Sequence, residues 1–212
     1  MRNKLDLGHF ARLDVSRETL EALQEFEAAT LKWSAAINLI AAGSERDLWR
    51  RHIQDSAQLL DFAPEVFHKW CDIGAGGGFP GLVLAILCKR REPRPRFVLV
   101  ESDSRKCAFL KLQASALDLP VDVVNQRIES MDPAGADILS ARALAPLPIL
   151  LQHAQRHLSS DGICLFPKGR NWQGEVDLAR KTCQFDLQVS PSIVDPESRI
   201  LVIRNVRQKK AD

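Results

Sequence analysis

Asp72-Ile73-Gly74-Ala75-Gly76-Gly77-Gly78-Phe79-Pro80-Gly81 is the stretch on which the fold turns. It follows a short apolar strand, Trp70 to Ile73, and opens a helix with Pro80 near its first position, so it has the strand, glycine turn and helix of a ligand-binding crossover. Glycines allow a tight turn and a close backbone approach, and free N–H groups at the helix start can face polar ligand atoms. Read from Gly76, the run also fits G-x-G-x-x-G through Gly78 and Gly81, a pattern that by itself admits a dinucleotide. Asp72 discriminates. A carboxylate at the end of the strand would stand beside a pyrophosphate at a cost in like-charge repulsion, whereas the ammonium and sulfonium of S-adenosylmethionine favour an acid there. The methyl donor is the preferred ligand and a nicotinamide cofactor the alternative.

Downstream, short β-branched runs alternate with helical stretches, the arrangement that builds parallel sheets from βαβ units. Strands are expected at Trp70 to Ile73, Phe97 to Val100, Val121 to Val124, Asp137 to Leu139, Ile163 to Phe166, Phe185 to Val189 and Ile200 to Val206. Helices are expected at Gly81 to Lys89, Ser104 to Leu117, Pro148 to Leu158 and Trp172 to Lys181. Pro191 to Ser198 leaves no room for a helix, so the last two strands should pair antiparallel. The expectation is an α/β Rossmann-like fold: a seven-stranded, mostly parallel sheet ending in an antiparallel hairpin. Upstream, Leu23, Phe26, Trp33 and Ile37 form one helical stripe between Ser16 and Asn38, and a second helix runs from Ser44 to Pro64 through Leu48, Trp49, Ile53, Leu59 and Leu60. Its start reads as a capping box from Ser44 to Asp47. Residues 1–65 are thus a helical appendage and 66–212 the ligand-binding domain, with a frayed tail from Arg207 to Asp212.

Two further segments fall at the carboxyl ends of strands, the edge at which open α/β sheets bind ligands. Glu101 ends the second strand about 20 residues past the glycine turn, where a carboxylate accepts hydrogen bonds from ribose hydroxyls. Gln126-Arg127-Ile128-Glu129 follows the third strand and is positioned to meet an adenine, with the backbone near Ile128 facing ring nitrogens and Glu129 accepting from the exocyclic amine. After the fourth strand, Ser140 to Pro146 lacks the acidic or amide residue, paired prolines and aromatic used by amino-group methylases. No cysteine stands in a setting suited to attack on a pyrimidine ring. What remains is an acceptor that is already nucleophilic, such as N7 of guanine, for which positioning is the main device and no acid or base is required. Arg142 is placed to hold the donor's carboxylate or a phosphate. His52 and Asp55, three apart on a helix, either seat RNA or cap the contact between appendage and domain. Lys168 is either a phosphate contact or a solvated lysine. Trp172 is a base-stacking candidate, while Trp33, Trp49 and Trp70 read as core.

Composition excludes little. The chain has 212 residues, 45% hydrophobic and 26% charged, with a formal net charge of +2, so nucleic-acid affinity must come from local patches. The longest apolar run, Phe79 to Cys88, is about half of the roughly 20 residues a bilayer crossing needs, and MRNKLDLGHF lacks a signal-peptide core. A cytoplasmic monomer without a membrane partner is expected. Five cysteines, at 71, 88, 107, 164 and 183, include no C-x-x-C pair, and no metal site is expected. The basic run Lys89-Arg90-Arg91 with Arg94 and Arg96 joins a helix to the amino end of a strand, opposite the ligand edge, and reads as a solubilising face.

With these residues in place, the chain closely resembles the bacterial ribosomal small subunit methyltransferase G family, also called glucose-inhibited division protein B, from about Leu23 to Val206. The marks are Asn38-Leu39, Arg51-His52-x-x-Asp55-Ser56, the glycine-rich run, Arg127-Ile128-Glu129, Arg142-Ala143, Lys168-Gly169 and Arg199-x-Leu-Val-Ile. The resemblance implies a class I methyltransferase fold and transfer of a methyl group from S-adenosylmethionine to N7 of one guanosine in 16S ribosomal RNA, free or in the small subunit. By position it places the donor against Gly74, Phe79, Ile128, Glu129 and Arg142. Many relatives carry Ser-Arg-Ala where this chain has Ala141-Arg142-Ala143. A ribosome-assembly module that keeps the pocket without turnover is the non-enzymatic alternative.

Overall fold

The computed structural model describes residues 15–41 and 43–209. The amino-terminal ten residues, read above as lacking a signal core, and 210–212 of the tail lie outside the described residues. Helix α1 (Arg17–Ser34) starts at Ser16, whose hydroxyl accepts from the Thr19 amide and so satisfies a donor that the helix start leaves free. Its apolar stripe buries Leu23 and Phe26. The Phe26 ring lies 5.2 Å from that of Phe79 and 6.2 Å from that of Phe109.

The second expected helix is not regular. A 3-10 turn at Glu45–Asp47 leads into a π-helical stretch, Trp49–Gln54, then a single turn α2 (Asp55–Ala57) and a 3-10 turn at Gln58–Phe62. Nor does Ser44 cap it: Ser44 is itself in the αR region, and its hydroxyl donates back to the Ala41 carbonyl. The widened π turns coincide with His52, a place where such irregularity commonly marks function.

Seven strands follow: β1 (Lys69–Ile73), β2 (Arg96–Glu101), β3 (Val121–Asn125), β4 (Ala136–Ser140), β5 (Leu158–Lys168), β6 (Cys183–Pro191) and β7 (Arg199–Gln208). Between them lie helices α3 (Gly81–Leu87), α4 (Ser104–Ala116), α5 (Leu147–His157) and α6 (Trp172–Thr182). The sheet order is β3-β2-β1-β4-β5-β7-β6, parallel except for β7, which runs antiparallel to both β5 and β6. The expected terminal hairpin is present, and its last strand inserts beside β5. Strands β1 and β2 are buried along nearly their whole length because helices cover both faces of a parallel sheet. At the outer edge β6 approaches an alternation of half-buried and exposed residues, as a strand covered on one side should.

Two boundaries differ from expectation. Strand β5 begins at Leu158, which had been assigned to the preceding helix, because Leu158 pairs with Ala136 of β4. Strand β7 runs to Gln208 and Lys209 donates to the Thr182 carbonyl, so the tail through Lys209 is tied down. One core cluster joins Leu23, Phe26, Leu48 and Ile53 of the appendage to Phe79, Leu82 and Phe109 of the sheet domain. Trp70 is fully buried and stacks on Phe97, with ring centroids 6.0 Å apart. All five cysteines are free and buried. No helix of the described residues is long and apolar enough to cross a membrane.

Candidate functional site

The glycine-rich turn leaves β1 at the carboxyl edge of the sheet. Gly74 sits at φ +68°, and a Cβ there would stand 2.6 Å from Leu144 Cδ1, so only glycine both turns and lets the loop after β4 close over it. At Gly81 a Cβ would meet Leu99 Cδ2 at 2.1 Å and Asp72 Oδ2 at 2.8 Å. Asp72 does not face the cleft but is buried beneath the turn, where Oδ2 accepts from the Gly81 amide (3.0 Å) and Oδ1 from the Ser140 hydroxyl (2.7 Å). Ser140 in turn accepts from Trp70 Nε1 (2.8 Å). Burial pushes the Asp72 carboxyl up to about 7 against the pull of its two hydrogen bonds. Its first role is to fasten the start of α3 to β1 and β4, and both of its oxygens already have protein partners.

Glu101 reaches the turn from β2. One carboxylate oxygen accepts from the Gly76 amide (2.9 Å) and the other from the Asp103 amide (2.8 Å). Ile128 is buried and opens a short 3-10 turn, and the exposed Glu129 beside it lies 3.9 Å from His153 Nε2.

The main cavity, of about 940 Å³, opens between the turn, the 38–41 segment of the appendage and the 194–198 loop that joins β6 to β7. Gly74, Gly76, Phe79, His52 and Arg142 all line it. Glu101, Ile128 and Glu129 lie outside that lining, along the ends of β2 and β3.

Arg142 is the side chain around which the cavity is organised. Nη2 donates to His52 Nδ1 (2.7 Å), while Nη1 donates to the Arg51 carbonyl (3.1 Å) and lies 3.4 Å from Asp55 Oδ2. Its guanidinium carbon stands 5.4 Å from the centre of the Phe79 ring, a cation–π contact. Because His52 Nδ1 accepts, the network assigns the ring proton to Nε2, which donates to Ser44 Oγ (3.3 Å). Burial first, then Arg142 and Arg51, pull His52 down to about 4, so it is neutral at physiological pH. Burial raises the Asp55 carboxyl while Arg142 opposes the rise, and Arg142 keeps its charge because guanidinium does not deprotonate in proteins. The structure brings His52 and Asp55 together on Arg142, just past the end of β4.

Lys168 lies at a second cavity. Its ammonium donates to the Ala145 carbonyl (2.8 Å) and to Glu175 (2.7 Å). The side chain is only 10% exposed, so it is not a solvated lysine. Trp172 is half-buried and packs against the main core rather than standing free. In the basic run, Lys89 and Arg94 reach Asp118, Arg90 reaches Glu18, Arg96 reaches Asp122 and Arg91 covers Phe67. These partners make the run a set of local struts. Sequence reasoning missed Glu175, the 194–198 loop and Ser140. Gln58 and Arg50 bind that loop through Ser192, Ile193 and Val194, contacts more than 130 residues apart that no local pattern signals.

This sheet order, with a glycine turn after the central strand and a cavity at its carboxyl edge, defines the class I methyltransferase fold. Solved structures agree. A TehB-like SAM-dependent methyltransferase from Corynebacterium glutamicum superposes with a TM-score of 0.55 at 14% identity, covering 88% of this chain and 97% of that one. A SAM-dependent methyltransferase from Aquifex aeolicus gives 0.58 at 12% identity over 84% and 96%. Within that class the chain belongs to the GidB family, rRNA small subunit methyltransferase G, whose model matches residues 19–201. It is 49% identical over 196 residues to a ribosomal RNA small subunit methyltransferase G of Ruegeria sp. strain TM1040, spanning 92% of this chain and 95% of the relative. Its counterpart in Parvibaculum lavamentivorans is 46% identical over 95% and 90%.

Proposed function

We propose that the chain transfers the methyl group of S-adenosylmethionine to N7 of a guanosine in 16S ribosomal RNA, acting as a cytoplasmic monomer. Relatives close to half identical are named for methylation of small-subunit ribosomal RNA, and membership in their family removes the ground for the nicotinamide alternative. One observation carries the choice of acceptor: among the described residues the main cavity offers no free base. His52 is spent on Arg142, Asp55 on Arg142 and Gln58, Asp47 pairs with Arg50, and Asp195 accepts from Glu197 and Ser198. No carboxylate or imidazole lining that cavity is left without a partner to take a proton from an acceptor, and N7 of guanine needs none taken, since it attacks with its own lone pair.

The residues fit the donor. The turn at Gly74 and Gly76 presents backbone to a cavity of ample size, and Phe79 and Arg142 form its floor. In this reading Glu101 exchanges an amide hydrogen bond for the ribose hydroxyls, and Ile128 and Glu129 meet the adenine. Arg142, held rigid from the appendage, orients the carboxylate end. When bound, S-adenosylmethionine supplies an electrophilic methyl on a sulfonium. N7 forms the new bond to carbon as the carbon–sulfur bond breaks, the electron pair stays on sulfur, and the purine gains the positive charge. No proton moves, so the protein's work is alignment, which can supply several kcal/mol, up to about 7 to 11. His52 then acts through Arg142, and Lys168 stands beside the path of the RNA. Residues 1–65 are a functional unit that completes the site of 66–212.

Incubation of the chain with small-subunit RNA or particles and methyl-labelled donor, followed by mapping of the modified nucleotide by reverse transcription, tests this. A single labelled guanosine with N7 chemistry is expected. Donor binding in a calorimeter with no label on any ribosomal substrate would leave the assembly-module reading standing instead.

A further inference from the structure

Beyond Arg142 a second cavity, of about 420 Å³, opens at the carboxyl ends of β4 and β5 and shares Asp55, Arg142, Ala143 and Ser198 with the main one. Leu144, Pro146, Pro167 and Ile200 give it apolar walls, and Lys168 and Glu175 give it polar ones. Leu144 lines this cavity and lies over Gly74 of the donor turn, so the two cavities adjoin there.

The Lys168–Glu175 pair is only partly used. Glu175 Oε2 accepts from the Leu147 amide and from Lys168, both at 2.7 Å, while among the described residues Oε1 accepts from none. Lysine carries three donors, and two of them go to Glu175 and the Ala145 carbonyl. A fixed acceptor and a fixed donor therefore stand side by side in an apolar cavity next to the donor turn. Guanine's Watson–Crick edge presents the complement, with N1–H and N2–H donors beside the O6 acceptor. Adenine presents the opposite order. Single-stranded or flipped bases are read on that edge.

We propose that this second cavity is the acceptor-base subsite, in which Glu175 accepts from N1–H and N2–H of the target guanine and Lys168 donates to O6. The inference rests on the N7-methylation reading and adds to it the residues that choose guanine. A base read on its Watson–Crick edge leaves N7, on the adjacent Hoogsteen edge, free to face the main cavity where the two cavities meet at Arg142 and Ala143. A charged acceptor withdrawn from the base removes a charge-assisted hydrogen bond, about tenfold to a hundredfold in rate.

The test compares small-subunit particles carrying guanosine or inosine, which lacks the N2 amine, at the modified position. Wild type should methylate guanosine with a kcat/KM at least about tenfold above inosine. In Glu175→Ala the guanosine-to-inosine ratio should fall close to one. A general structural loss would lower both substrates together and leave the ratio alone, and donor affinity by calorimetry should be unchanged. If Glu175→Ala does not fold, Glu175→Gln serves. Its amide oxygen is claimed by the Leu147 N–H and its NH2 then faces the base donors, so the ratio should fall there too. A wild-type ratio near one, or a ratio unaltered in the variants, overturns the subsite while methylation of guanosine keeps the function standing. Wild type inactive on the guanosine particle overturns the function and the subsite together.

Discussion

Replacing Asp72 with asparagine isolates the buried carboxylate under the glycine turn. The folded protein holds its proton up to about pH 7, against an ordinary value of 3.8, so between these limits the folded state binds more protons than the unfolded one. Stability from this group is fully present below about 3.8 and is lost as pH rises through about 7. At about 1.4 kcal/mol for each pH unit separating the two states, the window is worth about 4 kcal/mol as an upper bound. In Asp72→Asn the amide oxygen can accept from Gly81 and the NH2 can donate to Ser140, whose oxygen already takes Trp70, so the fastening survives without a titrating group. Urea unfolding followed by circular dichroism from pH 4.5 to 8 should show wild type losing stability relative to the variant as pH rises, by a few kcal/mol in total. The variant alone should show the opposite slope, set by the lowered histidines, His52 at about 4 together with His153 and His157, so that stability is lost as pH falls below about 6.5, with Asp55 working the other way. Parallel curves for wild type and variant would refute the desolvation of Asp72. A difference that grows in the other direction would show its charge to be compensated in the fold.

Three further outcomes follow from the same geometry. Gly81→Ala puts a methyl within 2.1 Å of Leu99 and should cost about 1–3 kcal/mol in thermal unfolding, with weakened donor binding by calorimetry. A stable variant with full donor affinity would show the turn to be looser than described. Arg142→Lys should lose about a hundredfold in methylation rate, because an ammonium cannot serve His52, Asp55 and the Arg51 carbonyl in one plane. Activity near wild type would reduce Arg142 to a general cation. The rate should show no break between pH 5 and 6.5 that His52→Asn removes, since His52 stays neutral there, and such a break would mean that the histidine titrates during turnover.

The sheet was legible because its signal is local. β-branched runs such as Phe97 to Val100 and Val121 to Val124 became β2 and β3 within a residue or two, and the glycine turn announced the ligand edge. The segment from Ser44 to Pro64 was not legible as it folds, although its apolar positions are buried as expected, because apolar spacing does not distinguish α from 3-10 and π turns, and the partners of Arg50, His52, Asp55 and Gln58 come from far along the chain. Asp72 was placed correctly along the chain but aimed wrongly. Whether a carboxylate at a strand end faces the cleft or the core depends on the neighbour across the sheet, and Ser140 comes from 68 residues away. Lys168 and Glu175 show the same limit: each looks like a surface charge until the loop after β4 brings the Leu147 amide and the Ala145 carbonyl between them.

The charges of the site depend on the irregular stretch before β1. Arg142 is a cation whose side chain is only 19% exposed, and a charge held that far from water without partners is costly. Asp72, whose charge also favours the guanidinium, is already bonded to Gly81 and Ser140. The imidazole, the carbonyl and the carboxylate that neutralise and aim the guanidinium all come from residues 51–55. The His52 imidazole and the Arg51 carbonyl come from the π-helical stretch Trp49–Gln54, and Asp55 opens the single α turn that follows it. Together they brace the Arg142 guanidinium where the two cavities meet.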